Sequence, residues 1–242
     1  MSAAETQTNG APGTVPADTA PGARGKALVV LSGGLDSTVL LAKLLDAGRE
    51  CHALSVHYGQ RHFRELDAAR AVCTHYGVPH QIADLRALLP LWGANSLTTP
   101  AQAVPDGHYT DASMKATVVP GRNLVLLSVA TAAALAAGCA TLAYGAHGGD
   151  HAIYPDCRPE FADALAAAIA LADWKPLVLE RPFIHLDKAG IVRLGSKLGV
   201  PFGLTWSCYK GGDLHCGRCA TCTERREAFR LAGVPDPTCY AD

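Results

Sequence analysis

The chain has 242 residues, 49% of them apolar, with 21 basic and 22 acidic side chains and a net charge of −1. That length suits one large domain or two small ones, and the charge balance excludes a bulk basic surface for generic nucleic-acid or acidic-membrane binding. Aromatics are 6%, too few for a single-strand stacking platform, and the longest apolar run, residues 124–138, is short of the roughly 18–20 needed to span a membrane.

Residues 1–25 are small, Pro- and Gly-rich and almost free of large apolar side chains, so they are expected to form a disordered tail. They have neither the basic start and apolar run of a signal peptide nor the Arg-rich, acid-poor composition of a transit peptide, and a cytoplasmic protein is expected. From Lys26 the pattern changes. KALVVL predicts a buried strand, and residues 38–47, apolar at helical spacing and stopped by Gly48, a helix. Strands are expected at 52–56, 80–83, 141–144 and 177–179, and helices at 63–76, 122–138, 159–174 and 187–198. Strands alternating with helices imply a doubly wound parallel α/β sheet. Residues 92–120 read as a long polar loop, and 145–150 (GAHGGD) as a flexible turn. From Thr205 the composition shifts toward Cys, Gly and charge, so three parts are expected: a tail (1–25), a main domain (26–204) and a small segment (205–242).

Between the first strand and its helix lies Leu31-Ser32-Gly33-Gly34-Leu35-Asp36-Ser37. Two glycines let backbone amides turn into a nest, and the helix N-terminus adds its dipole, which together make an anion site. The motif is neither a Walker loop nor a GxGxxG fingerprint. SGGLDS resembles the PP-loop of the ATP pyrophosphatase superfamily, an adenine nucleotide α-hydrolase-like fold. The resemblance implies that residues Leu31 to Ser37, with Thr38, Val39, Leu40 and Leu41 behind them, form the ATP-binding run. It also implies that Ser32, Ser37 and the Gly33 and Gly34 amides hold phosphate oxygens, and that Lys188 reaches the phosphates. Asp36, which would repel phosphate, either orients the loop or helps hold Mg²⁺.

Nine cysteines is an odd count, better suited to metal ligands plus buried thiols than to a disulfide framework. Cys208, Cys216, Cys219 and Cys222 make C-x7-C-x2-C-x2-C. Four converging thiolates suit one tetrahedral, structural Zn²⁺; an iron–sulfur cluster is the alternative, and His215 is a reserve ligand. Cys51, Cys73 and Cys139 read as buried apolar groups.

SGGLDS, VPGRN (119–123), YPDCRPEF (154–161), a DK helix at 187–188 and the cysteine cluster, in this order, resemble the 7-cyano-7-deazaguanine synthase family over nearly all of 26–240. That resemblance implies ATP-dependent conversion of 7-carboxy-7-deazaguanine and ammonia to the nitrile, in queuosine or related deazapurine biosynthesis. It implies a cytoplasmic enzyme with small-molecule substrates, no stable nucleic-acid or membrane partner, and a homodimer. Adenylation makes the carboxylate oxygen a leaving group; no glutaminase domain fits beside the loop domain, so free ammonia is the expected nitrogen donor. For the base, Asp156 is the first candidate reader and Glu160 the second, with Asn123 nearby; Arg122 or Arg158 would meet the substrate carboxylate or the α-phosphate. The rival readings are a PP-loop tRNA thiolation ligase and a non-catalytic zinc module that binds nucleic acid through Arg218, Arg225, Arg226 and Arg230.

Overall fold

A computed structural model describes residues 25–61, 63–93, 95–99, 101–107, 117–148 and 154–241. The expected tail (1–24) and the end of the GAHGGD turn (149–150) lie outside the described residues.

Five parallel strands form the sheet: β1 (Ala27–Val30), β2 (Cys51–His57), β3 (His80–Asp84), β4 (Thr141–Ala143) and β5 (Val178–Glu180). Their order is β3-β2-β1-β4-β5. Helices α1 (Leu35–Asp46), α2 (Arg64–Tyr76), α3 (Arg122–Ala136), α4 (Pro159–Ala170), α5 (Lys188–Lys197) and α6 (Ala220–Ala232) cover it. Successive residues of β1 point to opposite faces. Ala27 and Val29 join Val39, Leu40, Val72, Ile191 and Phe229 in one core, and Leu28 joins Leu127, Ala130, Leu142 and Leu165 in the other. Burial on both faces explains why β1 reads as a continuous apolar run rather than an alternating one.

The chain winds outward from β1 through β2 to β3, then returns to place β4 on the other side of β1. A crevice for a ligand opens at such a switch point, at the carboxyl ends of the strands. The segments that leave β1 and β4 meet there: a Cβ on Gly145 would stand 3.3 Å from the backbone N of Ser37.

Three expectations are corrected. The first helix begins at Leu35, not residue 38, because Gly34 O accepts from Thr38 N (3.2 Å) and from Thr38 Oγ1 (2.8 Å). The fourth helix ends at Ala170, since Leu171 and Trp174 beyond it are fully solvent-facing and have nothing to pack on. The stretch from residue 92 is not merely a polar loop. Trp92, Leu97 and Val119 pack with Val56 and Tyr58 in a satellite core, although residues 108–116 lie outside the described ones.

Helix α6 had no counterpart among the expected elements. Its Ala228 and Phe229 enter the core shared by α1 and α5. The segment leading to it is tied down by Arg225, which is fully buried and donates to Thr205 Oγ1 (2.8 Å), Phe202 O (3.1 Å) and Asp236 Oδ1 (3.3 Å).

Candidate active site

A cavity of about 270 Å³ opens above the glycine loop. Ser32, Gly34, Leu35, Asp36 and Ser37 form its floor. Gly34 is the N-cap of α1 with no side-chain cap, so the first amides of the helix are left for a ligand. The two loop hydroxyls brace each other at 3.1 Å, and Ser32 Oγ accepts from Gly34 N at 3.2 Å. Gly33 has φ +79°, a left-handed conformation. A Cβ there would collide with the backbone O of Glu65 and stand 2.6 Å from Ala69 N. Gly33→Ala is therefore expected to displace the loop from α2 and abolish ATP binding, measured by calorimetry; wild-type affinity in that variant would refute this account of the loop.

The expected ATP-binding run divides in two. Leu31, Val39, Leu40 and Leu41 are fully buried in the core, and Thr38 is buried on Gly34 O, so these five support the loop and do not line the cavity. Asp36 and Lys188 do line it. Lys188 Nζ sits 3.5 Å from Asp36 Oδ2 and 2.6 Å from Glu224 Oε2, and buried His147 lies 3.8 Å from Asp36 Oδ2. Lys188 is the first residue of α5, and Asp187 before it caps the helix by accepting from Gly190 N (2.6 Å).

Arg122 and Asn123, at the start of α3, line the cavity. Asp156, Arg158 and Glu160 do not. Asp156 Oδ2 accepts from Asn123 N at 3.0 Å, so its carboxylate is used to cap α3. Arg158 and Glu160 are exposed at the start of α4, where Arg158 is the N-cap and Glu160 stands in the first turn. Neither acid named as a reader of the base is therefore on the cavity wall, and acid–base pairs beside a proline mark a helix start as readily as a ligand contact.

The sequence reading missed Glu65, Tyr58, Tyr144, Trp206, Tyr209 and Glu224, all of which line the cavity. Glu65 lies in a helix that reads as amphipathic with a solvated charged face, and Glu224 lies in α6, which was not expected. Burial pushes the Glu65 carboxyl up to about 7 against the opposing pull of Arg122, and pushes the Tyr58 phenol up to about 12.

The ligand atoms of Cys208, Cys216, Cys219 and Cys222 all lie within 4.8 Å of one another. Four sulfurs about 2.3 Å from one ion stand about 3.8 Å apart, so the thiols fit a tetrahedral metal; Cys216 Sγ and Cys222 Sγ are 4.0 Å apart. His215 takes no part in the cluster. Burial and Arg225 lower its pKa to about 4, and its neutral Nε2 accepts from Ser207 N at 3.1 Å. Cys219 caps α6 and Cys222 is in its first turn, so the cluster fixes the helix end from which Thr221 and Glu224 reach the cavity.

The model of the queuosine biosynthesis protein QueC family matches residues 26–233. The chain belongs to this family. Relatives named 7-cyano-7-deazaguanine synthase include those of Marinobacter nauticus, 50% identical over 88% of this chain and 96% of that one, and Methanoregula boonei, 49% identical over 89% and 99%. Two solved structures share the fold of this QueC-family chain. One is the U34-tRNA thiolase NcsA of Methanococcus maripaludis with its [4Fe-4S] cluster (TM-score 0.50, 18% identity, 89% and 76% of the two chains). The other is the NMN synthetase of Francisella tularensis (0.50, 15%, 88% and 79%). Among the described residues no helix is long and apolar enough to cross a membrane.

Proposed function

We propose that the chain is a 7-cyano-7-deazaguanine synthase, an ATP-dependent ligase that turns 7-carboxy-7-deazaguanine and ammonia into the nitrile. The observation that carries this is the glycine loop without a side-chain cap at the floor of a cavity, with Lys188 between two carboxylates beside it, in a chain half identical to enzymes of that name. The loop amides and Lys188 would hold the pyrophosphate end of ATP and leave the α-phosphate toward the cavity. Arg122 would orient the substrate carboxylate for attack on that phosphorus. The acyl adenylate has a good leaving group, and ammonia displaces AMP to give an amide.

The amide oxygen must then be activated in turn, because hydroxide leaves poorly. One pocket would hold that oxygen at the α-phosphate, so the same loop would serve a second round. Each round releases AMP and pyrophosphate.

Asp36 Oδ1 is buried without a partner among the described residues, which fits a hard cation; Asp36 would hold Mg²⁺, which neutralises phosphate charge. The four thiols would hold one structural Zn²⁺ that fixes the end of α6. Reduced thiolates of this kind suit the cytoplasm. A homodimer, implied by the family resemblance, is checked by the mass in solution, and the expected lack of a nucleic-acid partner by filter binding with tRNA.

The test of the reaction supplies synthetic 7-amido-7-deazaguanine, Mg²⁺ and ATP without ammonia. Nitrile, AMP and pyrophosphate are expected by mass spectrometry. An inert amide, or ADP as the sole nucleotide product, would refute two-round adenylation.

A further inference from the structure

Among the described residues, three carboxylates line the cavity: Asp36, Glu224 and Glu65. The first two face Lys188. Among the described residues, no hydrogen bond or ion pair engages the carboxylate of Glu65. Its backbone is fixed against the loop, since its carbonyl O abuts the Cα of Gly33. It stands in the first turn of α2, beside Tyr58 at the end of β2 and near Arg122 of α3. Arg122 lies over the Tyr58 ring at 5.6 Å and donates to its hydroxyl at 3.5 Å. Glu65 is thus grouped with the residue expected to meet the reacting carboxylate, at the loop end of the site.

The reaction needs a nitrogen nucleophile there. At neutral pH the available species is ammonium, which has no lone pair to attack with. An acceptor must take a proton next to the adenylate, and a carboxylate also attracts the cation in the first place. We propose that Glu65 forms the ammonium subsite: its carboxylate binds NH₄⁺ beside the loop and takes one proton, releasing ammonia onto the acyl adenylate.

The freed nitrogen pair forms the C–N bond. The C–O bond to the α-phosphate breaks and AMP leaves with that pair. The remaining surplus N–H proton passes to water, giving the amide. Among the described residues, the charged or titratable groups that act on Glu65 are Tyr58 on the segment after β2 and Arg122 on α3. Burial outweighs Arg122, and the carboxyl titrates near 7, where a proton acceptor works best at neutral pH. A carboxylate meant only to read an N1–H edge gains nothing from being so poised.

This inference rests on the adenylation reading, and the experiment separates the two. Exchange of labelled pyrophosphate into ATP, dependent on 7-carboxy-7-deazaguanine and run without ammonium, reports the first half-reaction. Amide and nitrile formation across pH 6.5–9 (an interval of about 2.5 units around neutrality) reports the second.

Wild type is expected to exchange, and its amide formation to level off above about pH 7, where Glu65 is ionised. Glu65→Gln is expected to keep substrate-dependent exchange within about threefold. It should lose about a hundredfold in amide formation at neutral pH and regain about tenfold per pH unit as free ammonia accumulates. Glu65→Asp, which keeps a proton acceptor, should be slower with a profile shaped like wild type. Loss of exchange in Glu65→Gln would overturn the proposal and make Glu65 a reader of the base. Parallel pH profiles for wild type and Glu65→Gln would overturn it as well. No exchange in wild type would overturn the adenylation reading and the subsite with it.

Discussion

Cys222→Ser is expected to strip the metal from the C-terminal cluster and to unfold much of the segment that carries it. All four sulfurs are needed to close a tetrahedral site, and a structural zinc's binding energy, about 10–16 kcal/mol in small zinc-binding peptides, is folding energy there. Here part of the segment is held independently, by Arg225 and by Phe229 in the main core, so the loss should be several kcal/mol rather than the whole. Hydrogen exchange should rise over residues 205–222, while β1 and β2 stay protected. Catalysis should fail with it, because Thr221 and Glu224 reach the cavity from the helix end that the cluster anchors. Metal analysis showing one zinc per chain in Cys222→Ser would refute the four-thiol site.

Lys188→Ala should lower pyrophosphate exchange by about 10²–10³-fold, the usual cost of deleting one preorganised charge at a reacting phosphoryl group. Removing Lys188 also leaves the Asp36 and Glu224 carboxylates without the cation that stands 3.5 and 2.6 Å from them. Their mutual repulsion then adds to the loss of the phosphate contact. Asp36→Asn should abolish turnover with the fold intact, by a different route: its buried Oδ1 loses the charge that fits a cation. Turnover within threefold of wild type in either variant would remove that residue from the catalytic group.

What was legible in the sequence was local. SGGLDS and the cysteine cluster each hold their chemistry within about fifteen consecutive residues, so spacing alone brings the ligand atoms together. The same holds for the alternation of strands and helices, and for Asp187-Lys188, whose cap orients the lysine at the start of its helix. The place of Asp156 was not legible, because an acid in a Pro-bounded turn has the same local signature whether it binds a ligand or a helix amide. Only packing showed that Asn123 N takes its carboxylate.

By itself, then, the sequence determined the parallel α/β class, the glycine loop between β1 and α1 and the grouping of four cysteines, all of which follow from periodicity and short-range spacing. Tertiary structure alone decided which charges share the cavity. Glu65 and Glu224 come from helices more than 150 residues apart in the chain; the first reads as an ordinary solvated acid in an amphipathic pattern, and the second stands in a helix that the sequence pattern did not announce. They meet at the sheet's switch point, which draws α2, α3, α5 and the cysteine-bearing end of α6 around one loop. Electrostatics at that point depends on distance and burial, and a one-dimensional pattern contains neither.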